Sequence, residues 1–276
     1  MHSGGADSMK QLTLCITGST DGIGLAAAKR FAMAGHRVIV HGRIASRILV
    51  ACADILRSTG SEPLGALEAD FTDLDAVYAM GKELCEHYSG IDLLINNAGV
   101  YMPRRTFVPE GYETTFSVNY LAHVLLTNVV KPVLLANGGS VLNVSSVDHH
   151  SAVFDPSNMQ GERSWSGYDA YARSKLFNIM FTIDSAGGAD PLRSNSLDPG
   201  VIATKLLHAG WSLGGDDVSQ GGEEVYETVM EIARGGCNGE YFENLRPARC
   251  SSVAGDATIR QELAELTGEM LSRFEI

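Results

Sequence analysis

Tyr171 and Lys175 stand four residues apart in the run Tyr171-Ala172-Arg173-Ser174-Lys175. On a helix that spacing puts a phenol and an ammonium on one face. A cation beside a phenol favours the phenolate and makes the pair a candidate acid and base near neutral pH. The pair matters here because the chain upstream of it carries the pattern of a cofactor site.

Short apolar runs alternate with helical periodicity. Residues 12–16, 37–40, 63–69, 91–95, 140–144 and 193–197 read as strands, with a final one at 239–242. Helices are expected over 24–34, 45–58, 74–88, 116–133, 171–184 and 223–234. Apolar strands between amphipathic helices predict an α/β fold, a Rossmann-type doubly wound parallel sheet in three layers. One domain spanning residues 10–276 is expected after a polar, flexible tail at 1–9. Two stretches break the rhythm, 148–167 and 199–217, the second holding Ile202, Leu206, Leu207, Trp211 and Leu213. Both follow strands, where open α/β sheets bind ligands, so both are candidate substrate walls.

Between the first strand and first helix runs Thr17-Gly18-Ser19-Thr20-Asp21-Gly22-Ile23-Gly24. Glycines there allow a tight turn and close approach of backbone to a pyrophosphate, and the following helix N-terminus favours the anion. The second strand ends in Val40-His41-Gly42-Arg43, with Arg47 one helical turn on and no acid at the strand end. Two guanidinium groups suit a ribose 2′-phosphate, whereas a 2′-hydroxyl calls for a carboxylate. NADP(H) is therefore preferred, with NAD(H) as the alternative. Asp70, beside Phe71 after the third strand, is a candidate adenine contact. Asn96-Asn97-Ala98-Gly99 closes the fourth strand with small residues that can flank a cofactor.

A formal net charge of -12 argues against nucleic acid as a partner. No apolar run approaching 18 residues is evident, so no membrane span is expected. The five cysteines, at 15, 52, 85, 237 and 250, form neither a zinc pattern nor a disulfide framework. No metal site is expected, and the reducing cytoplasm is the natural compartment.

Together these elements resemble the short-chain dehydrogenase/reductase family over about residues 10–245. The markers are the glycine turn, Asn96 to Gly99, Asn119, Ser146, Tyr171 with Lys175, and Pro199-Gly200. Phe116-Ser117-Val118-Asn119 and Ser174-Lys175-Leu176-Phe177-Asn178 resemble retinol dehydrogenase-like and protochlorophyllide-reductase-like members. The resemblance implies catalysis by Asn119, Ser146, Tyr171 and Lys175. Tyr171 would be the acid or base, and Lys175 would lower its pKa and hold the nicotinamide ribose. Ser146 would polarise the substrate carbonyl, and Asn119 would interrupt its helix to hold a water beside Lys175. Pro199, Gly200, Val201 and Thr204 join the implied cofactor contacts. The substrate would be a small or hydrophobic alcohol or carbonyl compound. The apolar helix 116–133 would carry a homodimer or homotetramer contact.

Ser145 competes with Ser146, because neighbours on a strand point oppositely; the family pattern selects Ser146. Asp198-Pro199-Gly200 departs from the histidine-Pro-Gly often found there, and the stretch from Ser146 to Tyr171 is longer than is common. His149, His150, Trp165, Tyr168 and Trp211 are placed near the site without a set role. A non-catalytic NADP(H)-binding regulator on the same fold is the alternative reading, and epimerisation or dehydration a third.

Overall fold

Strand residues of alternating direction divide the protein's apolar side chains into two cores. In β1 (Thr13–Ile16) Leu14 and Ile16 join one core and Cys15 the other. The same split recurs in β2 (Arg37–Gly42), β4 (Leu93–Asn96) and β5 (Ser140–Val144). A sheet apolar on both faces must be covered on both, as a period of two requires. With β3 (Gly65–Glu68), β6 (Arg193–Leu197), β7 (Tyr241–Glu243) and β8 (Arg246–Ala248), the order is β3-β2-β1-β4-β5-β6-β7-β8. All pairs are parallel except β7 with β8. The computed structural model describes residues 10–188, 190–211 and 214–276, so the expected tail at 1–9 and Leu213 lie outside the described residues.

One face carries α1 (Gly22–Met33), α2 (Ala45–Thr59) and α8 (Val218–Gly235). The other carries α3 (Leu74–His87), α5 (Ala122–Ala136) and α6 (Gly167–Gly187). The expected Rossmann-type arrangement is therefore present. Chain order reverses direction between β1 and β4, which opens a crevice at their carboxyl ends.

Several boundaries differ from the sequence expectation. α6 starts at Gly167, four residues before Tyr171, because the Ser166 hydroxyl accepts a 3.0 Å bond from the Asp169 amide and caps the helix. Tyr168 is thus on the same helix as Tyr171. The expected helix 116–133 is continuous from Thr114 to Ala136, built from α4 (Thr114–Phe116), a π turn (Ser117–Leu121) and α5. By length and composition it is long and apolar enough to cross a membrane, which corrects the expectation that no segment is; 72% of its apolar window is buried in the fold. The first irregular stretch contains 3₁₀ turns at Val147–Ser151 and Pro156–Asn158, and the second contains α7 (Lys205–Gly210).

The carboxyl-terminal region adds β8, α9 (Ser252–Gly255) and α10 (Ala257–Leu271), none of them expected. α10 buries Leu263 and Leu271 in the same core as Tyr120 and Phe177. Its Thr267 hydroxyl lies 2.9 Å from the Tyr120 phenol oxygen. It therefore covers apolar surface of α6 and of the π turn, which is part of the helix expected to meet a second subunit.

α8 begins at Val218, so Gly221 and Gly222 sit inside it and not before it, as the sequence had suggested. A β-carbon on Gly222 would come within 2.6 Å of Ala26 on α1, including its backbone carbon. Glycine at this position permits the close approach of the two helices. Gly222→Ala should therefore destabilise the protein by about 1–3 kcal/mol through overpacking. An alanine in an ordinary helix interior would instead stabilise by about 1 kcal/mol. Urea unfolding of the two proteins checks the sign, and a gain in stability would refute the close-approach explanation.

Candidate active site

The floor of the crevice is stitched between β1 and β4. Thr17 follows β1, and its buried hydroxyl oxygen accepts 2.9 Å hydrogen bonds from the amides of both Asn97 and Ala98. The Asn97 side-chain amide returns a 2.8 Å bond to the Thr17 carbonyl. Gly18 has φ 66°, and a β-carbon there would meet Ala98 Cα at 2.9 Å. Glycine is therefore required twice over, by backbone conformation and by contact. Gly24 is equally confined, since a β-carbon would lie 2.5 Å from the Asn97 side-chain nitrogen and the Gly18 carbonyl oxygen.

Ser19 departs from its expected role. Its fully buried hydroxyl donates to the Ile16 carbonyl at 2.8 Å and accepts from the His41 amide at 3.0 Å. It builds the turn and does not line the cavity in front of it. His41 contributes more than the sequence suggested. Burial holds its pKa down at about 4, so the ring is neutral near pH 7. Nδ1 accepts the Gly18 amide proton at 2.9 Å, which leaves Nε2 to donate to the Ala69 carbonyl 3.1 Å away. One ring thus ties the glycine turn to the end of β3 and packs against Phe71 with centroids 4.6 Å apart. Its position one residue before Gly42 was the only available signal.

A cavity of about 640 Å³ opens over this floor. Apart from Ser19, Asn96 and Asn119, every candidate cofactor or catalytic residue read from the sequence lines it. Thr20, Asp21, Gly22, Ile23 and Gly24 present the start of α1. Arg43 and Arg47 are exposed at the end of the cavity near β2 and form no ion pair among the described residues. Asp70 and Phe71 follow β3; the Asp70 carboxylate accepts from the Thr72 amide and hydroxyl. Gly99, Pro199, Gly200, Val201 and Thr204 complete the expected wall.

At the opposite end stand Ser146, Tyr171 and Lys175. β5 delivers the serines, and α6 delivers the other two from one face, as their spacing predicts. Ser145 donates to the Lys175 carbonyl at 2.9 Å and so fastens α6 to the end of β5. Ser146 lines the cavity beside Tyr171, and its hydroxyl donates to the Asp148 carboxylate at 3.3 Å. The buried Lys175 ammonium donates to the Val144 carbonyl at 2.8 Å and lies 5.4 Å from the Tyr171 ring centroid. Burial lowers its pKa to about 8.

Burial also raises the pKa of the Tyr171 phenol above its ordinary value, with the Asp148 and Asp198 carboxylates adding to the rise and the nearby Ser146 hydroxyl opposing it. The net direction is opposite to the one expected from a neighbouring cation alone. Asn119 sits in the π turn, fully buried, where its side chain makes two hydrogen bonds to the Val100 backbone and a third to Ser174. It locks the end of the β4 loop against α6 behind the cavity wall.

The remaining aromatic and histidine candidates separate clearly. Trp211 lines the cavity, with its ring 5.3 Å from that of Tyr171 and 5.0 Å from that of Tyr101. Tyr168 stands just behind it, 6.2 Å from Trp211. Trp165 packs over Gly161 instead. His149 is a structural clip: its Nε2 accepts from the Ser251 amide, so Nδ1 donates to the Ser146 carbonyl at 2.7 Å. His150 is 3.8 Å from Glu243 and outside the cavity. Asp148, Asp198 and Tyr101 were not read as site residues. Asp148 and Asp198 line the cavity, and burial raises the Asp198 carboxyl to about 6. Among the described residues, no cluster of three metal-binding side chains occurs.

Residues 12–212 match the family of short chain dehydrogenases. The chain is 32% identical to polyprenol dehydrogenase of Mus musculus over 270 residues, 90% of this chain and 80% of that protein. It is 33% identical to retinol dehydrogenase 14 of Mus musculus, across 98% of this chain and 89% of that one. A crystal structure of a protein from Mycobacterium paratuberculosis superposes with a TM-score of 0.75 at 26% identity, covering 95% and 94% of the two chains. With a crevice of this construction and a family match over most of its length, the chain belongs to the short-chain dehydrogenase/reductase family of NAD(P)-dependent oxidoreductases.

Proposed function

We propose that the protein is an NADP(H)-dependent oxidoreductase that reduces a small or hydrophobic carbonyl compound, or oxidises the matching alcohol, with Tyr171 as the acid or base. The observation that carries this reading is the placement of Ser146, Tyr171 and Lys175 at one end of a cavity whose other end is the glycine turn and two arginines that form no ion pair among the described residues. The residues fit a dinucleotide. The Gly18 and Gly24 backbone has no room for a side chain, and the α1 N-terminus faces the cavity. When bound, the nicotinamide supplies or accepts the hydride.

The protein's own groups handle the oxygen. Tyr171 donates its phenolic proton to the substrate oxygen, and a phenol kept protonated by burial suits the reduction direction. Ser146 meets the negative charge that develops on that oxygen. Lys175, held at the Val144 carbonyl and 5.4 Å from the Tyr171 ring centroid, would bond the nicotinamide ribose hydroxyls. Asn119 keeps Val100 and Ser174 in place, so it acts through the geometry of α6. Arg43 and Arg47 receive the 2′-phosphate. Likeness to polyprenol and retinol dehydrogenases supports a retinol dehydrogenase-like subgroup and an apolar substrate. Five free cysteines, one of them fully buried, agree with a reducing cytoplasm.

Tyr171→Phe should lower kcat by about 10²–10⁴-fold, the usual range for general acid–base catalysis. NADPH binding should be unchanged by fluorescence titration; retained turnover with weakened binding would recast Tyr171 as a binding residue. Arg43→Ala should raise the Kd for NADPH roughly tenfold to a hundredfold, following about 1.5–3 kcal/mol for a hydrogen bond to a charged group. NADH binding should be nearly unaffected. A wild-type protein that turns over faster with NADH at equal concentration would refute the arginine argument.

A further inference from the structure

Asp148 has no part in the chemistry described above, yet it lies beside it. The 3₁₀ turn Val147–Ser151 folds its side chain back, so that one carboxylate oxygen accepts from the Ser146 hydroxyl at 3.3 Å and the other from the Tyr168 phenol at 3.1 Å. It lines the same cavity as Tyr171 and Trp211. Neutral hydroxyls are its only side-chain partners among the described residues, and no cation pairs with it. The lysine ammonium in the site donates to the Val144 carbonyl and not to a carboxylate. Lys205, near the cavity mouth, is paired with Asp21.

A second carboxylate, Asp198, also lines the cavity and is mostly ionised above about pH 6. One buried ammonium is therefore set against two carboxylates. Through Tyr168, whose phenol donates to it, Asp148 adjoins an aromatic cluster. Trp211 meets Tyr171 and Tyr168 in T-shaped contacts with centroids 5.3 and 6.2 Å apart and lines the same cavity as Asp148. A carboxylate beside tyrosine and tryptophan rings is the chemistry that holds organic ammonium groups.

We propose that Asp148, with Trp211 and Tyr168, forms a cation subsite, so that the preferred carbonyl substrate carries a protonated amine a few bonds from its carbonyl carbon. The idea rests on the oxidoreductase reading for the position of the carbonyl at Ser146 and Tyr171, the first of which is 3.3 Å from the Asp148 carboxylate. No bond forms or breaks at the subsite. It binds and orients, and the hydride and proton transfers are those already described.

Calorimetric titration of the NADPH-loaded full chain with benzyltrimethylammonium tests the subsite without turnover. Saturable binding is expected, weakened at least tenfold in Asp148→Asn, retained in Asp148→Glu and weakened in Trp211→Leu. Trp211→Leu also serves if Asp148→Asn does not fold. Absence of saturable binding to the wild-type chain, or equal binding by Asp148→Asn, overturns the proposal. Turnover is then compared for β-(dimethylamino)propiophenone, a cation at neutral pH, and isohexanophenone, its neutral carbon isostere. The ammonium ketone should show a KM at least tenfold lower in the wild type, and Asp148→Asn should erase that preference. Equal KM values in the wild type overturn the proposal. Asp148-dependent binding of benzyltrimethylammonium with no turnover of any carbonyl would leave the subsite standing and remove the oxidoreductase reading instead.

Discussion

The hydroxyl of Thr17 is the joint on which the site depends. Where β1 and β4 diverge, the chain must turn away in two directions, and the backbone amides of Asn97 and Ala98 lie beyond the strand ladder. The Thr17 oxygen accepts both, the Asn97 amide also reaching the Ile95 carbonyl at 3.1 Å. The Ala98 amide, left buried and unpaired, would cost about 1–3 kcal/mol. The Asn97 side chain closes the ring by bonding back to Thr17, and Gly18 and Gly24 fill the only space left. The crevice is therefore a rigid consequence of the sheet topology. Cofactor-facing backbone on one side and the β4 loop on the other are held at a fixed separation.

Burial sets the electrostatics of the opposite end. It raises the Tyr171 phenol, lowers Lys175 to about 8 and raises Asp198 to about 6. These three shifts share one cause, the low polarity of a site enclosed by β5, α6 and the 3₁₀ turn after Ser146. Each shift moves its group towards the neutral form. A protonated phenol beside a weakly held lysine proton is suited to giving a proton to an oxygen that gains negative charge. The carboxylates oppose full neutralisation of the lysine, because both Asp198 and Asp148 favour its charged form.

Much of this was legible in the sequence because it depends on local periodicity. The strand and helix alternation, the glycine turn and the four-residue spacing of Tyr171 and Lys175 each follow from backbone geometry. What escaped depends on side chains meeting over long distances. Ser19 lies in the glycine motif, yet its hydroxyl turns inward to Ile16 and His41. The tautomer of His41 is decided by Gly18 on one side and Ala69 on the other. Asp148 became a site residue only because a 3₁₀ turn folds it onto Ser146. α10 was missed although Asp256 caps it, since its buried stripe is sparse and finds its partners on the π turn and α6.

Hydride transfer in this cavity is the claim on which the roles of all these residues rest. It is tested most directly by incubating the protein with a hydrophobic ketone and NADPH carrying deuterium at nicotinamide C4 on the transferred face, each face being labelled in turn. Mass spectrometry of the alcohol should show deuterium on the carbinol carbon from one face and none from the other. NADPH that binds tightly while no labelled alcohol forms from either face, across aldehydes, ketones and quinones, would contradict it.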